Sequence, residues 1–182
     1  LDSKQSTEVG EPGATWMGYN TLDVVYNYDP MPSGLTTSQQ ARVLGPEACI
    51  WTEELQTSEV VEYMLVPRMQ AMVERAWTPN SLVNFEDFKS RLVSHFERFE
   101  YLNFNSRKLP VPQSSTKSIV SCEPVVLKPD LNGISYYWTD DDRSTTQEIT
   151  VNKSGVYKSY VKYLGEVVET TYDVVIEKKN ES

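Results

Sequence analysis

The stretch GPEACIWTEELQTSEVVEYMLVPRMQAMVERAWTP, Gly45 to Pro79, decides how the rest of the chain is read. It opens on a Gly-Pro turn and an apolar run, Ala48 to Ile50, that ends on Trp51. Such a run fits a strand buried on both faces, as in a parallel sheet. With Val43 and Leu44 ahead of the turn, the expected strand spans residues 43–51. Thr57 and Ser58 offer N-cap oxygens. Val60, Val61, Met64, Leu65, Met69, Met72, Val73, Ala76 and Trp77 then recur at helical spacing. Pro67 should kink or open that helix, and Thr78-Pro79 ends it. Trp51 and Glu53 therefore lie where a parallel strand gives way to a helix. In barrel enzymes the active site is built at that end of the strands. An aromatic wall beside a carboxylate suits a sugar, because a charged acceptor makes strong hydrogen bonds to hydroxyls. Glu54 reads instead as an acid near the helix start, favoured by the positive end of the macrodipole.

Residues 1–40 read as loop, rich in Ser, Gly, Pro and Glu, with turn signals at Asp29-Pro30, Pro32 and Ser33-Gly34. A further helix is expected from Asn84. There Phe85, Phe88, Leu92, Phe96 and Phe99 form one stripe, read as core, with His95 beside it. Asn84 and Asp87 approximate a capping box. Arg107 to Ser118 has the composition of a linker. Beyond it the period changes to two. The runs 125–127, 134–138, 148–151, 156–163 and 171–177 are β-branched and aromatic, separated by turn residues, and fit a small β-sandwich. Trp138 is read as its core. The fold class is therefore α/β plus all-β, with a first domain over residues 1–113, a linker at 114–121 and a sandwich over 122–182. One strand and two helices fall well short of a (β/α)8 barrel of roughly 250 residues. Further strands are expected upstream.

A formal charge of -9 argues against nucleic acid, which needs Lys and Arg to release counterions. No apolar run approaches the roughly 18 residues of a membrane span. No signal peptide is visible, and the chain opens at Leu1 without a methionine, so a targeting segment upstream is expected. Cys49 and Cys122 read as separate reduced or buried thiols. A single His and no CxxC leave no zinc site. The acidic run Thr139 to Arg143 reads as a solvated turn and lacks calcium-loop spacing. No metal or cofactor is expected.

The long motif resembles the closing segment of the catalytic barrel of glycoside hydrolase family 20, the β-N-acetylhexosaminidases, with a LGxQAxxWTE strand followed by a YMxxPRxxALAExxW helix. Leu44-Gly45, Ala48, Trp51-Thr52-Glu53, Tyr63-Met64, Pro67-Arg68, Ala71, Glu74 and Trp77 match. Val25 to Pro32 resembles the stretch ahead of that strand, and Leu1 to Gln5 the end of the preceding one. Pro46-Glu47 and Arg75-Ala76 depart from the family pattern. The resemblance covers roughly residues 1–108. It implies the C-terminal part of a TIM (β/α)8 barrel, whose N-terminal part would be the partner that completes it. It also implies substrate-assisted retaining hydrolysis of a glycan ending in N-acetylglucosamine or N-acetylgalactosamine. Trp51 would pack on the N-acetyl group and ring, Glu53 would bind O4, and Asp2 would reach O6. Arg68 reads as structural, holding a carboxylate or the carbonyl freed by Pro67. The family's Asp-Glu catalytic pair belongs to an H-x-G-x-D-E motif on an earlier strand, which these residues lack. No catalytic residue is therefore assigned, and the chain alone is expected to be inactive. The β domain resembles immunoglobulin-like modules of bacterial surface and secreted proteins. This implies a secreted, periplasmic or cell-surface bacterial protein. The competing reading is a non-catalytic glycan-binding, adhesion or spacer module.

Overall fold

The computed structural model describes residues 1–177. The chain divides into two compact units, Leu1–Lys108 and Leu109–Ser182.

The first unit begins with two short strands, β1 (Ser3–Lys4) and β2 (Ala14–Tyr19), paired in parallel with an irregularity between Ser3 and Lys4. Two small helices follow, α1 (Leu22–Asn27) and α2 (Thr37–Gln40). The expectation of loop over residues 1–40 is corrected here. The turn-forming composition hides a strand pair held by backbone contacts: the Ala14 amide donates to the Asp2 carbonyl at 2.8 Å, and the Asn20 amide to that of Lys4 at 2.8 Å. Gly13 is required at this crossing. Its φ is +108°, and a Cβ there would sit 2.6 Å from the Asp2 carbonyl and 2.7 Å from Met64 Cε.

The helical reading holds, with the break where proline demands it. Helix α3 (Ser58–Leu65) starts at Thr57, whose hydroxyl accepts from the Val60 amide, and α4 (Arg68–Trp77) resumes after a cis Val66–Pro67 bond. Helix α5 (Phe85–Tyr101) starts at Asn84, whose side chain accepts from the Asp87 amide. Phe88, Leu92 and Phe96 are buried, while Phe85 and Phe99 are half-buried. Tyr26 of α1 stacks on Phe88 at 4.8 Å between ring centroids. The stripe is core, as its spacing predicts.

Two polar networks join these helices, and the first is buried. Arg68 is fully buried. Its Nε and Nη2 donate to the Met64 carbonyl at 3.1 and 2.8 Å, and its Nη1 to the Ser3 and Asn20 carbonyls at 3.0 and 3.1 Å. It also donates to the Leu1 carbonyl. The structural reading of Arg68 is right: Met64 O lies where the helix is interrupted and the guanidinium fork takes it, while the Tyr63 carbonyl, four residues before Pro67, accepts from Gln5 Nε2 at 2.9 Å. Burial lowers the Arg68 pKa to about 10, opposed by the charges of Glu11 and Asp2, so it stays protonated at neutral pH. In the second network, the Tyr26 hydroxyl donates to Glu74 Oε1 at 2.9 Å and accepts from the Asn84 amide at 3.0 Å. Arg91 donates to both Glu74 oxygens at 2.8 Å.

The expected strand at residues 43–51 is absent. These residues pair with no strand among the described residues, and Leu44 is fully exposed. A run buried on both faces needs parallel neighbours on both sides, and the described sheet partners lie elsewhere.

The second unit packs a four-stranded sheet against a two-stranded one. The elements are β3 (Ser115–Ser121), β4 (Val125–Leu127), β5 (Ser135–Trp138), β6 (Ile149–Val151), β7 (Gly155–Tyr163) and β8 (Glu166–Ile176). The orders are β3-β8-β7-β5 and β4-β6. Leu127, Trp138, Ile149, Val151, Tyr172 and Val174 from both sheets form one core. Trp138 is fully buried there, its Nε1 donating to the Thr146 carbonyl at 2.9 Å, as its reading as core requires. Leu164 and Gly165 join β7 to β8 with φ of 52° and 82°, the two positive angles of a type I′ hairpin. The linker at 114–121 is corrected: Ser115–Ser121 is an edge strand running parallel to β8. Its serines, threonine and lysine pair through the backbone, so composition misread it. Asp140 accepts from the Ser144 amide at 2.7 Å and closes a turn. Among the described residues no acidic cluster can hold a metal. Cys49 and Cys122 are free and exposed, so neither is buried.

Candidate functional site

Trp51, Thr52, Glu53 and Glu54 form a turn whose Thr52 carbonyl accepts from the Leu55 amide at 3.1 Å, and Leu55 is buried beneath it. Thr52 has φ +61°. A β-branched residue in the left-handed region is an outlier that its surroundings must enforce. The enforcing group is Asp2. Its carboxylate accepts from the Trp51 amide (2.8 Å to Oδ1, 2.9 Å to Oδ2) and from the Thr52 amide (2.9 Å to Oδ1). Asp2 is only 5% exposed. Trp51 itself is 72% exposed, its ring free of the core.

The turn walls a cavity of about 250 Å³ lined by Asp2, Ala14, Trp16, Met17, Trp51, Glu53 and Glu54. Small-molecule sites commonly enclose about 300 to 1,000 Å³, so this is a shallow, partial site. The three residues singled out from the sequence, Asp2, Trp51 and Glu53, meet here. Two residues of β2 meet them that the sequence did not flag. Trp16 is 74% exposed, and with Met17 it lines the same cavity as Trp51. The signal was an aromatic in a polar, glycine-flanked stretch, GATWMGY, passed over as loop. Glu54 needs correction. Helix α3 begins at Ser58, and the acid in its first turn is Glu59. The Glu59 carboxyl is held below its ordinary value by a backbone amide and by the Thr57 and Ser58 hydroxyls. Glu54 lies ahead of the cap and lines the cavity.

Larger cavities exist in this unit, about 440 Å³ beside Glu11 and Tyr63 and about 490 Å³ between α4 and α5. The first surrounds a carboxylate already satisfied. Glu11 accepts from the Gln5 amide at 3.2 Å, Ser6 Oγ at 3.2 Å and Tyr63 Oη at 3.0 Å. The second is lined largely by apolar side chains with His95 at its edge, where burial first and then Arg98 and Arg91 lower the imidazole pKa. Neither joins an exposed aromatic to an uncommitted acid, so chemistry favours the smaller cavity.

Residues 1–80 match the family model of the glycosyl hydrolase family 20 catalytic domain. The chain is 37% identical over 113 residues to a β-hexosaminidase of Porphyromonas gingivalis, covering 62% of this chain and 14% of that protein. It is 30% identical over 110 residues to a β-N-acetylhexosaminidase of Cellulomonas fimi, covering 60% and 22%. Among solved structures, it resembles a family 20 exo-β-N-acetylglucosaminidase of Vibrio harveyi in complex with N-acetylglucosamine. The TM-score is 0.53 at 29% identity, over 59% of this chain and 17% of that one. The chain thus spans less than a quarter of the length of these relatives.

Proposed function

We propose that this chain supplies one wall of the sugar pocket of a β-N-acetylhexosaminidase, an enzyme removing terminal N-acetylglucosamine or N-acetylgalactosamine by substrate-assisted retaining hydrolysis. The observation that carries this reading is the convergence of Trp51, Glu53 and Asp2 on one cavity within family 20 sequence. Trp51 packs against the ring and N-acetyl group. Glu53 accepts from the hydroxyls of the non-reducing end, O4 first, and Asp2 reaches toward O6. No Asp-Glu dipeptide occurs in the 182 residues. The groups that orient the acetamide and protonate the leaving oxygen therefore come from the remainder of a (β/α)8 barrel, and these residues alone do not turn over substrate. The second unit serves as an immunoglobulin-like module, on the support of its two-sheet core around Trp138. The protein acts outside the bacterial cytoplasm, secreted, periplasmic or on the cell surface.

The test is an NMR titration of the 182-residue chain with N-acetylglucosamine. Shifts centred on the amides of Trp51, Thr52 and Glu53 and on the indole of Trp16 are expected. Shifts confined to the groove between α4 and α5, or to the second unit, contradict the assignment.

A further inference from the structure

Arg75 lies in the last turn of α4 and is only 7% exposed. Its Nε donates to the Tyr28 carbonyl at 3.0 Å. Among the described residues Nη1 and Nη2 have no acceptor, and no carboxylate stands at ion-pair distance. A buried charge is almost never left without partners. Arg68 shows the ordinary solution, with four carbonyls around its donors. Arg75 has one carbonyl, and it lines a cavity of about 220 Å³. We propose that this cavity binds a carboxylate, gripped by the two Nη groups of Arg75. It shares no lining residue with the cavity at Trp51, so the proposal does not depend on the sugar-pocket reading.

The chemistry of the walls selects the occupant. Nη1 and Nη2 present a planar fork that a carboxylate accepts with both oxygens. The Asn20 side-chain amide, on the same wall and without a partner among the described residues, supplies a further donor. Val25, Ala48 and Met72 make the remainder apolar, which suits a short aliphatic stem. One negative charge cancels the guanidinium, whereas a doubly charged anion such as phosphate would bring an uncompensated charge between apolar walls. The other charged groups on the wall are engaged or turned to solvent. The Leu1 ammonium is paired with Asp2 at 3.7 Å and donates to the Cys49 carbonyl. Glu47 is exposed and accepts from the Cys49 thiol at 3.7 Å. The carboxylate has two possible sources: an aspartate or glutamate side chain from the part of the protein that completes the barrel, or a free short-chain acid.

Butyrate is the probe, and butyramide its neutral control of the same shape. In the 182-residue chain, at neutral pH and constant ionic strength, butyrate should shift the NMR signals of the Arg75 guanidinium and of the Val25 and Met72 methyl groups saturably. Butyramide should not. Arg75→Gln should abolish the shifts. Arg75→Lys, which keeps a charge but not the fork, should weaken binding about tenfold. No saturable shift at Arg75, or equal shifts with butyramide, overturns the proposal, and neither result needs a variant to fold. Thermal melts of the full-length protein then separate the sources. If a side chain of the barrel fills the site, butyrate leaves the melting temperature unchanged and Arg75→Gln lowers it. If the site takes a free acid, butyrate raises the melting temperature and Arg75→Gln removes that rise. A full-length protein that responds to neither butyrate nor Arg75→Gln overturns the proposal as well.

Discussion

Arg68 shows how much one side chain can organise. A fully buried guanidinium without a carboxylate at hydrogen-bond distance is uncommon, since charges are rarely buried unpaired. Here the carbonyls of Met64, Ser3, Asn20 and Leu1 take its donors. These come from the N-terminal segment that leads into β1, the approach to α1 and the broken helix pair. Replacing Arg68 by Met should remove the desolvation cost but leave these carbonyls without donors, at about 1 to 3 kcal/mol for each that finds no water. Loss of about 3 kcal/mol or more, or of the first unit's cooperative melt, is expected by calorimetry. Arg68→Lys should recover only part, because an ammonium cannot fork. A change within about 0.5 kcal/mol for Arg68→Met would show the network to be incidental. At this scale the sequence was informative where residue type dictates chemistry. The Pro67-Arg68 pair, Trp51 and Glu53 all stood out by identity. Trp16 and the place of Glu54 on the cavity wall did not. The first depends on a strand that polar composition conceals, and the second on the turn at 51–54, which puts Glu54 on the cavity wall.

Among the elements, α3 to α5 and β4 to β8 were legible, and β1, β2, α1, α2 and β3 were not. Amphipathic period, N-cap residues and prolines locate α3, α4 and α5 because each signal is local. The β1–β2 pair, α1 and β3 arise from contacts distant in sequence, and Ser, Thr and Gly carry no period to reveal them. The run 43–51 failed in the opposite sense: its apolar pattern is that of a strand, but pairing needs neighbours that the pattern alone does not supply. The knot among α1, α4 and α5 offers a test at this scale. Arg91 first, then the Tyr26 hydroxyl, holds the Glu74 carboxyl below its ordinary value of 4.5, against burial. A depressed folded pKa contributes stability that is present above the unfolded value and lost as pH falls through the folded one. The Glu74 side chain is 14% exposed but Arg91 is 52% exposed, so the contribution at neutral pH is about 1 kcal/mol after screening. Glu74→Gln should therefore lower the melting temperature at pH 7, and the two melting curves should converge below pH 4.5. A gap that stays constant from pH 7 to pH 3 would mean that packing, not charge, carries the effect.

At the scale of the whole molecule, the change of period beyond Ser118 announced two units, and the core around Trp138 shows why the second has a hydrophobic interior of its own. The function proposed for the first unit rests on one acid, Glu53. A carboxylate in a sugar pocket accepts hydroxyls with both oxygens, whereas Gln offers one acceptor and turns the other position into a donor. The mismatch weakens binding and displaces the sugar relative to the general acid, which multiplies the loss. Glu59, the acid that does sit in the first turn of α3, is the control, since its interactions are with the helix start alone. The measurement is kcat/KM of the full-length enzyme on an aryl N-acetyl-β-glucosaminide, with melting temperature followed in parallel. Glu53→Gln is expected to lower it by roughly two to three orders of magnitude with the fold intact, and Glu59→Gln to leave it within about twofold. Equal effects of the two substitutions, or a Glu53→Gln protein that loses activity only by unfolding, would make Glu53 structural and contradict the assignment of this cavity to the sugar.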